Sequence, residues 1–584
     1  MTIRKFVPIL QWLPGYSKED LKGDLPAGVT VGVMLIPQGM AYAMLAGLPP
    51  VYGLYAATLP LLLYAIFGTS RQLAVGPVAM VSLLVATGVG ALADPGSTAF
   101  VQYAILLAFM VGLIQFLMGV FRLGFLVNFL SHPVISGFTS AAALIIGLSQ
   151  LKHLLGFDIP RSHLIHEIIG NAIAHISEVH PATLILGLGG MLVIMGIRKF
   201  NKTIPGSLVA VIAGILIVAV FSLDDKGLKI VQDIPVGFPK LSTSLFEIND
   251  IQSLLPVALT IALIGFVESI AVAKAMQARH KGYEVDSNQE LIGLGLANIG
   301  GSFFQSFPVT GGFSRTAVND QAGARTGMAS IISASLIILT LLFLTPLFYY
   351  LPKAILASVI LVAVFGLIDV KEAGYLWKTD RRDFVMLLAT FIATLTLGIE
   401  QGIAIGILLS LAFVVYKSTY PHIAQLGRLP GTNEYRNIVR FQEATESEDI
   451  LIIRFDAQMF FANTAYFKEK LQKMEAAKGE KLKAVILVGT AINSLDSSAV
   501  HTLEDIVEDY KARNIAFMVT GVKGPVRDIM CRCGLMERIG EQNFYMRIHE
   551  AVDAFDKMNS SENQSDAVRQ KIATQTNIIQ PDIR

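Results

Sequence analysis

Cysteine and charge are what this chain has least of: two cysteines, Cys531 and Cys533, in 584 residues, and a charged fraction of 16%. Thiols two positions apart build neither a disulfide framework nor, alone, a metal cage, so they read as reduced packing residues of a cytosolic domain. A net charge of +1 gives no polybasic balance for nucleic acid or for a purely electrostatic grip on a membrane. There is no G-x-x-x-x-G-K-[ST] loop to cradle nucleotide phosphates, which argues against an ATP-driven pump within the chain. His166-Glu167 and His549-Glu550 lack the second histidine of a zinc-protease motif, and no G-x-S-x-G turn occurs. No enzymatic constellation is present, and no metal or cofactor is expected.

Hydrophobic sequence is what the chain has in excess. A hydrophobic fraction of 53% and a mean hydropathy of +0.58 exceed what a soluble interior can hide, so the chain is read as an integral membrane protein. Residues 1–26 hold only a short, proline-punctuated apolar run and are expected to be a cytoplasmic lead-in rather than a cleaved signal. Residues 27–417 carry twelve clear apolar segments, near 27–46, 50–68, 101–120, 132–150, 183–198, 205–222, 254–273, 288–303, 326–348, 352–368, 384–399 and 401–417. Two less regular ones, 74–91 and 311–322, bring the count to fourteen, and an even count puts both termini on one side. Arg71, Arg122, the Arg198/Lys199/Lys202 group, Arg279 with Lys281, Arg325 and the Lys371, Lys378, Arg381, Arg382 cluster fall in alternate loops, which makes that side the cytoplasm.

Beyond the last span, "STYPHIAQLGRLPGTNEY" is marked by proline and glycine and is expected to be a linker over 418–435. Residues 436–558 then alternate β-rich runs ("DILIIRF", "KAVILVG", "IAFMVTG") with helical patterns, the signature of a small parallel-type α/β domain. Residues 559–584 are polar enough to be a mobile tail.

Two interruptions in the apolar sequence call for a reason. "RQLAVGPVAMVSLLV" breaks at Gly76-Pro77, and "QSFPVTGGFSRTAVNDQAG" breaks at Pro308 and Gly311-Gly312 before Arg315. Paired breaks in matching halves point to discontinuous helices of an inverted-repeat secondary transporter. Each half-helix start carries unpaired N–H groups and about half a positive elementary charge, so two facing starts make an anion site. Arg315 adds a full charge at a cost on the order of 2.5–3.5 kcal/mol, which is offset if it lines water, meets a carboxylate or meets an anionic substrate. Glu268, in "ALIGFVESIAVAKAM", supplies a carboxylate inside an apolar span. With Arg315 it forms a candidate proton switch, in which protonation of Glu268 releases the arginine to a dianion. Gln38 and Tyr42 are four apart and share a helix face, offering an amide and a hydroxyl to an oxyanion or to a neighbouring helix.

"LIPQGMAYAMLAGLPPVYGLYAATLP", "RQLAVGPVAMVSLL", "GFVESIAVAKAM" and "YEVDSNQELIGLGLANIGGSFFQSFPVTGGFSRTAVNDQAG", with the closing α/β domain, resemble the sulfate permease family of anion transporters over nearly the whole chain. The resemblance implies an α-helical polytopic fold of fourteen spans, arranged as two inverted seven-helix repeats divided into core and gate domains, and a cytoplasmic STAS domain of the kind shared with anti-sigma-factor antagonists. It implies anion held between the third and tenth helices. Substrate-binding positions would be Gln38, Tyr42, Gly76, Pro77, Val78, Ala79, Ser314, Arg315 and Thr316, with Glu268 for proton coupling. Val78 stands where some members have an aromatic residue. In "INSLDSSAVHTL", Ser497 and Ser498 occupy a loop that soluble relatives phosphorylate, with Ala499 in place of glycine; a serine there also serves as a plain helix cap.

The resulting expectation is proton-coupled import of an inorganic oxyanion, sulfate first, by movement of the core past the gate. Sodium-coupled bicarbonate uptake, dicarboxylate uptake, anion exchange, a passive channel and a membrane-anchored signalling protein are the alternatives. A homodimer in a cell membrane, bacterial inner or plasma, is expected, with no nucleic-acid partner.

Overall fold

The first long helix starts earlier than the hydrophobicity suggests. The Ser17 hydroxyl accepts from the Asp20 N–H, and the Asp20 carboxylate accepts from the Ser17 N–H and hydroxyl. This reciprocal box fixes a helix start at Lys18. Helix α1 then runs over Lys18–Ala46, through Pro26 and Pro37, so the charged end of the expected lead-in is the first part of α1.

The computed structural model describes residues 3–125, 131–157, 165–200, 205–242, 248–280 and 282–560. Lys202, Lys281 and most of the expected tail lie outside the described residues. Each of the other thirteen apolar segments contains a helix: α2 (Leu59–Phe67), α3 (Ala79–Gly90), α4 (Thr98–Val120), α5 (His132–Ser149), α6 (Pro181–Phe200), α7 (Gly206–Phe221), α8 (Ile248–His280), α9 (Ser287–Ser302), α10 (Phe313–Gln321), α11 (Met328–Leu339), α12 (Lys353–Phe365), α13 (Arg381–Leu397) and α14 (Ile399–Thr419). Among the described residues, seven helices are long and apolar enough to cross a membrane, and shorter apolar ones accompany them. Two short strands, β1 (Val75–Gly76) and β2 (Thr310–Gly311), immediately precede α3 and α10.

The packing exchanges equivalent partners between halves. Helix α4 lies against α8 and α9, and α11 lies against α1 and α2. A second group forms where α5 meets α12 and α13, and α6 meets α7 and α12. These two groups are the core and gate of an inverted-repeat architecture.

The chain divides into two compact units, Met1–Ser410 and Leu411–Arg584. In the second, a six-stranded sheet has the order β4-β3-β5-β6-β7-β8, where β3 is Ile423–Arg428, β4 Tyr435–Asn437, β5 Ile450–Phe455, β6 Ala484–Val488, β7 Ala516–Thr520 and β8 Phe544–Tyr545. Pairing is parallel from β5 to β8 and antiparallel from β4 through β3 to β5, so the sheet is mixed rather than wholly parallel. Strand β3 lies inside the stretch read as linker: its Ala424 and Leu426 are buried and pair the segment into the sheet despite the flanking prolines and glycines. Both faces are covered, as a central parallel sheet requires. Leu451, Ile453 and Phe455 pack on one side with Phe467 and Leu503, and Ile450 and Ile452 on the other with Ile486 and Met518.

At the end of β5, burial pushes the Asp456 carboxyl up, but hydrogen bonds from Arg454 and His422 outweigh it and hold it below the usual carboxylate range. The helix α15 (Ser497–Ala512) is capped by Asp496, whose carboxylate accepts from the N–H groups of Ala499 and Phe461. The capping role expected of the serines therefore falls to Asp496, because its longer side chain reaches both amides. Ser497 is exposed and Ser498 half-buried in the first turn.

Candidate anion-binding site

The two breaks meet. β1 and β2 pair antiparallel, Val75 opposite Gly311 and Gly76 opposite Thr310, and the Gly312 N–H donates to the Ala74 carbonyl at 3.1 Å. Extended backbone inside a membrane domain needs internal partners for every polar group, and the surrounding helices supply them. From α9, Asn298 accepts from the Val309 N–H at 2.8 Å and donates to its carbonyl at 3.0 Å; the same amide is held by Gln115 of α4. From α8, the Ser269 hydroxyl accepts from the Gly311 N–H at 2.8 Å and meets the Thr310 hydroxyl at 2.7 Å. From α10, the Thr316 hydroxyl accepts from the Ala74 N–H at 3.0 Å and donates to the Gly312 carbonyl, and Asn319 donates to the Gln72 carbonyl.

Both half-helices then start uncapped. Val78 precedes α3 and Gly312 precedes α10, and neither has a side-chain acceptor for the first-turn amides. Those N–H groups, with the dipole behind them, are free for an anion.

Arg315, in the first turn of α10, is 2% exposed. Its Nη1 donates to the Pro77 carbonyl at 2.6 Å, tying α10 to the lead-in of α3. Its Nε and Nη2 have no hydrogen-bond partner among the described residues. These two donors lie on one edge of the guanidinium, the fork that takes two oxygens of a single oxyanion. Leaving them unpaired and buried would cost about 1–3 kcal/mol per group, so an acceptor belongs there. Room for the guanidinium comes from glycine: a Cβ on Gly312 would sit 2.7 Å from Nη2 and one on Gly76 3.5 Å from it.

Of the residues singled out from the sequence, Pro77 and Arg315 are in direct contact, with Gly76 beside the guanidinium. Val78 and Ala79 are buried at the α3 start, and Ser314 is exposed beside Arg315. Thr316 is spent on bracing β1 and the α10 start. On α1, Leu35 reaches Gly76, and Gln38 and Tyr42 continue the same face. Gln38 has an unpartnered buried Oε1. Tyr42 and Glu268 are within electrostatic reach of Arg315. Among the described residues no ion pair or hydrogen bond joins Glu268 to Arg315; the guanidinium is anchored on the Pro77 carbonyl.

Sequence reasoning missed Ser269, Thr310, Asn298, Gln115 and Asn319. Their signal was polarity at buried positions of apolar segments, weaker than a charge but of the same kind.

Two uncapped half-helix starts joined through paired strands beside a buried arginine mark a membrane protein of the inverted-repeat transporter class. The chain belongs to the sulfate permease family, whose model matches residues 21–390, with a STAS domain matched over 442–551. It is 43% identical to the probable sulfate transporter 4.2 of Arabidopsis thaliana over 563 residues, 93% of this chain and 83% of that protein. Its fold is similar to the inward-facing murine Slc26a9 anion transporter, with a TM-score of 0.87 and 26% identity over 94% of each chain. The transmembrane domain of the cyanobacterial bicarbonate transporter BicA is also similar, with a TM-score of 0.59 and 25% identity over 68% of this chain and 98% of that one.

Proposed function

We propose that this protein is a secondary active anion transporter that couples sulfate uptake to protons. One observation carries the reading: the buried Nε/Nη2 edge of Arg315 is unpartnered beside two uncapped helix starts. Sulfate presents oxygen pairs to that fork and further oxygens to the amides, and the family's sulfate-transporting relatives support the same ligand. With Glu268 ionised, its field offsets the arginine; with Glu268 protonated, the full positive charge faces a dianion, so proton and sulfate bind together. Alternating access follows from carrying α1–α4 and α8–α11, as the core, past α5–α7 and α12–α14. The STAS unit and both termini belong in the cytoplasm of a cell-membrane homodimer.

Labelled sulfate uptake into proteoliposomes, with proton and sodium gradients imposed separately, tests this. Wild-type protein should concentrate sulfate on the proton gradient, and Glu268→Gln should bind sulfate but fail to accumulate it. Accumulation by the variant would refute the coupling. A second reading, sodium-coupled bicarbonate uptake, is favoured by the likeness to the bicarbonate transporter domain, and it expects uptake on the sodium gradient only.

A further inference from the structure

A cavity of about 360 Å³ lies at the far end of α10 from Arg315. It is lined by Arg71, Gln72, His280, Tyr283, Asp320 and Arg325. Asp320 is five residues along α10 from Arg315, about 7.5 Å at the helical rise. The cavity thus adjoins the central site without sharing its residues.

Its charges are arranged unevenly. Asp320, the only carboxylate among the described lining residues, is taken by Arg279 at 3.1 Å and by His280. Neither Arg71 nor Arg325 has a carboxylate partner among the described residues, although both line one small space. Arg71 is held over the Tyr283 ring, 5.3 Å from its centroid, and the Tyr283 hydroxyl donates to Gln72 at 2.6 Å. The Arg325 side chain runs along Gly23, where a Cβ would come within 3.2 Å of Cγ and 3.3 Å of Nε. The loop carrying it is pinned because the buried Asp24 accepts from the Arg325 and Thr326 N–H groups and the Thr326 hydroxyl. Across the cavity, the loop carrying Arg71 is pinned in the same way: the buried Glu290 accepts from the Thr69 and Ser70 N–H groups and from the Tyr64 hydroxyl. The C-terminal ends of α8 and α10 add about half a negative charge each. Asp20 lies within electrostatic reach of both arginines, while Asp24 and Glu290 are engaged by backbone amides behind the loops; Arg71 and Arg325 are the two arginines that line the cavity itself.

We propose that this cavity is a second site for a divalent oxyanion, a staging position that the transported anion occupies before or after the Arg315 pocket. Arg71 and Arg325 both line it, on loops pinned by buried carboxylates. The staging role rests on the transport reading above; the binding site does not.

Equilibrium dialysis of labelled sulfate against purified full-length protein tests it. Wild type should bind two sulfates per chain, Arg71→Gln/Arg325→Gln should keep the one at Arg315, and Arg315→Gln should keep the one at Arg71 and Arg325. The double variant should also raise the apparent KM for sulfate about tenfold or more, the scale of a lost charge-assisted hydrogen bond. Inorganic phosphate competing only at the second site would assign it to a phosphate ligand and overturn the staging role. Wild-type stoichiometry in the folded double variant overturns the site itself. Should that variant not fold, wild-type crystals soaked in selenate decide: an anomalous selenium peak between Arg71 and Arg325 supports the site, and its absence at saturating selenate overturns it. Loss of transport in Arg315→Gln with this peak intact would separate the two sites, and unimpaired transport in Arg315→Gln would count against the central reading alone.

Discussion

Arg315 donates from Nη1 to the backbone carbonyl of Pro77 at 2.6 Å, so the arginine of one half-helix is positioned by the proline that opens the other. The anchor orients the planar group and leaves its Nε and Nη2 edge buried without a hydrogen-bond partner among the described residues. Charge and orientation are therefore separable by substitution.

Arg315→Lys keeps the charge and loses the fork. One ammonium cannot hold Pro77 and also offer two parallel donors to an oxyanion, because its charge is a point on a flexible stem. Sulfate uptake should show an apparent KM raised at least tenfold, the scale of about 1.5–3 kcal/mol for a hydrogen bond to a charged group. A wild-type KM in the lysine variant would mean that only charge matters.

Gly312→Ala places a methyl group 2.7 Å from Nη2. The guanidinium must move off the Pro77 carbonyl, so sulfate binding should weaken while the protein remains folded. Sulfate affinity by dialysis, with thermal unfolding in detergent as the folding control, checks this; unchanged affinity would show that Arg315 has slack.

Ser269→Ala removes the acceptor for the Gly311 N–H and one of two partners of the Thr310 hydroxyl, which keeps the Gly265 carbonyl. Both groups are buried, so the loss should destabilise the protein by about 1–3 kcal/mol and lower its unfolding temperature. A variant as stable as wild type would mean that water or backbone movement replaces the serine.

The parts of this site legible in the sequence were those that break a strong pattern. Arg315 and Glu268 are charges in apolar runs, and Gly76-Pro77 and Gly311-Gly312 interrupt helices where a membrane leaves few alternatives to helix. The braces were not legible, because serine, threonine and asparagine in apolar helices read equally well as interhelical glue. Nor was the anchoring of Arg315 on Pro77 in place of Glu268: which acceptor a side chain finds depends on the crossing of β1 and β2, distant in the chain. Strand β3 was hidden by the turn residues around it, and the start of α1 by the charges of its own capping box.

In the STAS unit, the Asp456 carboxyl is held below its usual range by Arg454 and His422. A depressed carboxylate contributes stability above its unfolded value, about 3.9, and loses it as the pH falls through the lower folded value. Acid unfolding of the full-length protein, followed by a probe in the STAS unit, should therefore lose less stability over that range in Asp456→Asn than in wild type. Identical acid dependence in the two would show that the pair contributes nothing measurable.

The central claim is tested most directly by a density map of the full-length protein in sulfate. The account expects sulfate bound to Nε and Nη2 of Arg315 and to the first-turn amides of α3 and α10, with Nη1 still on Pro77. Sulfate bound away from both helix starts, or an Arg315 edge turned onto Glu268 with the space between the helices empty, would contradict it.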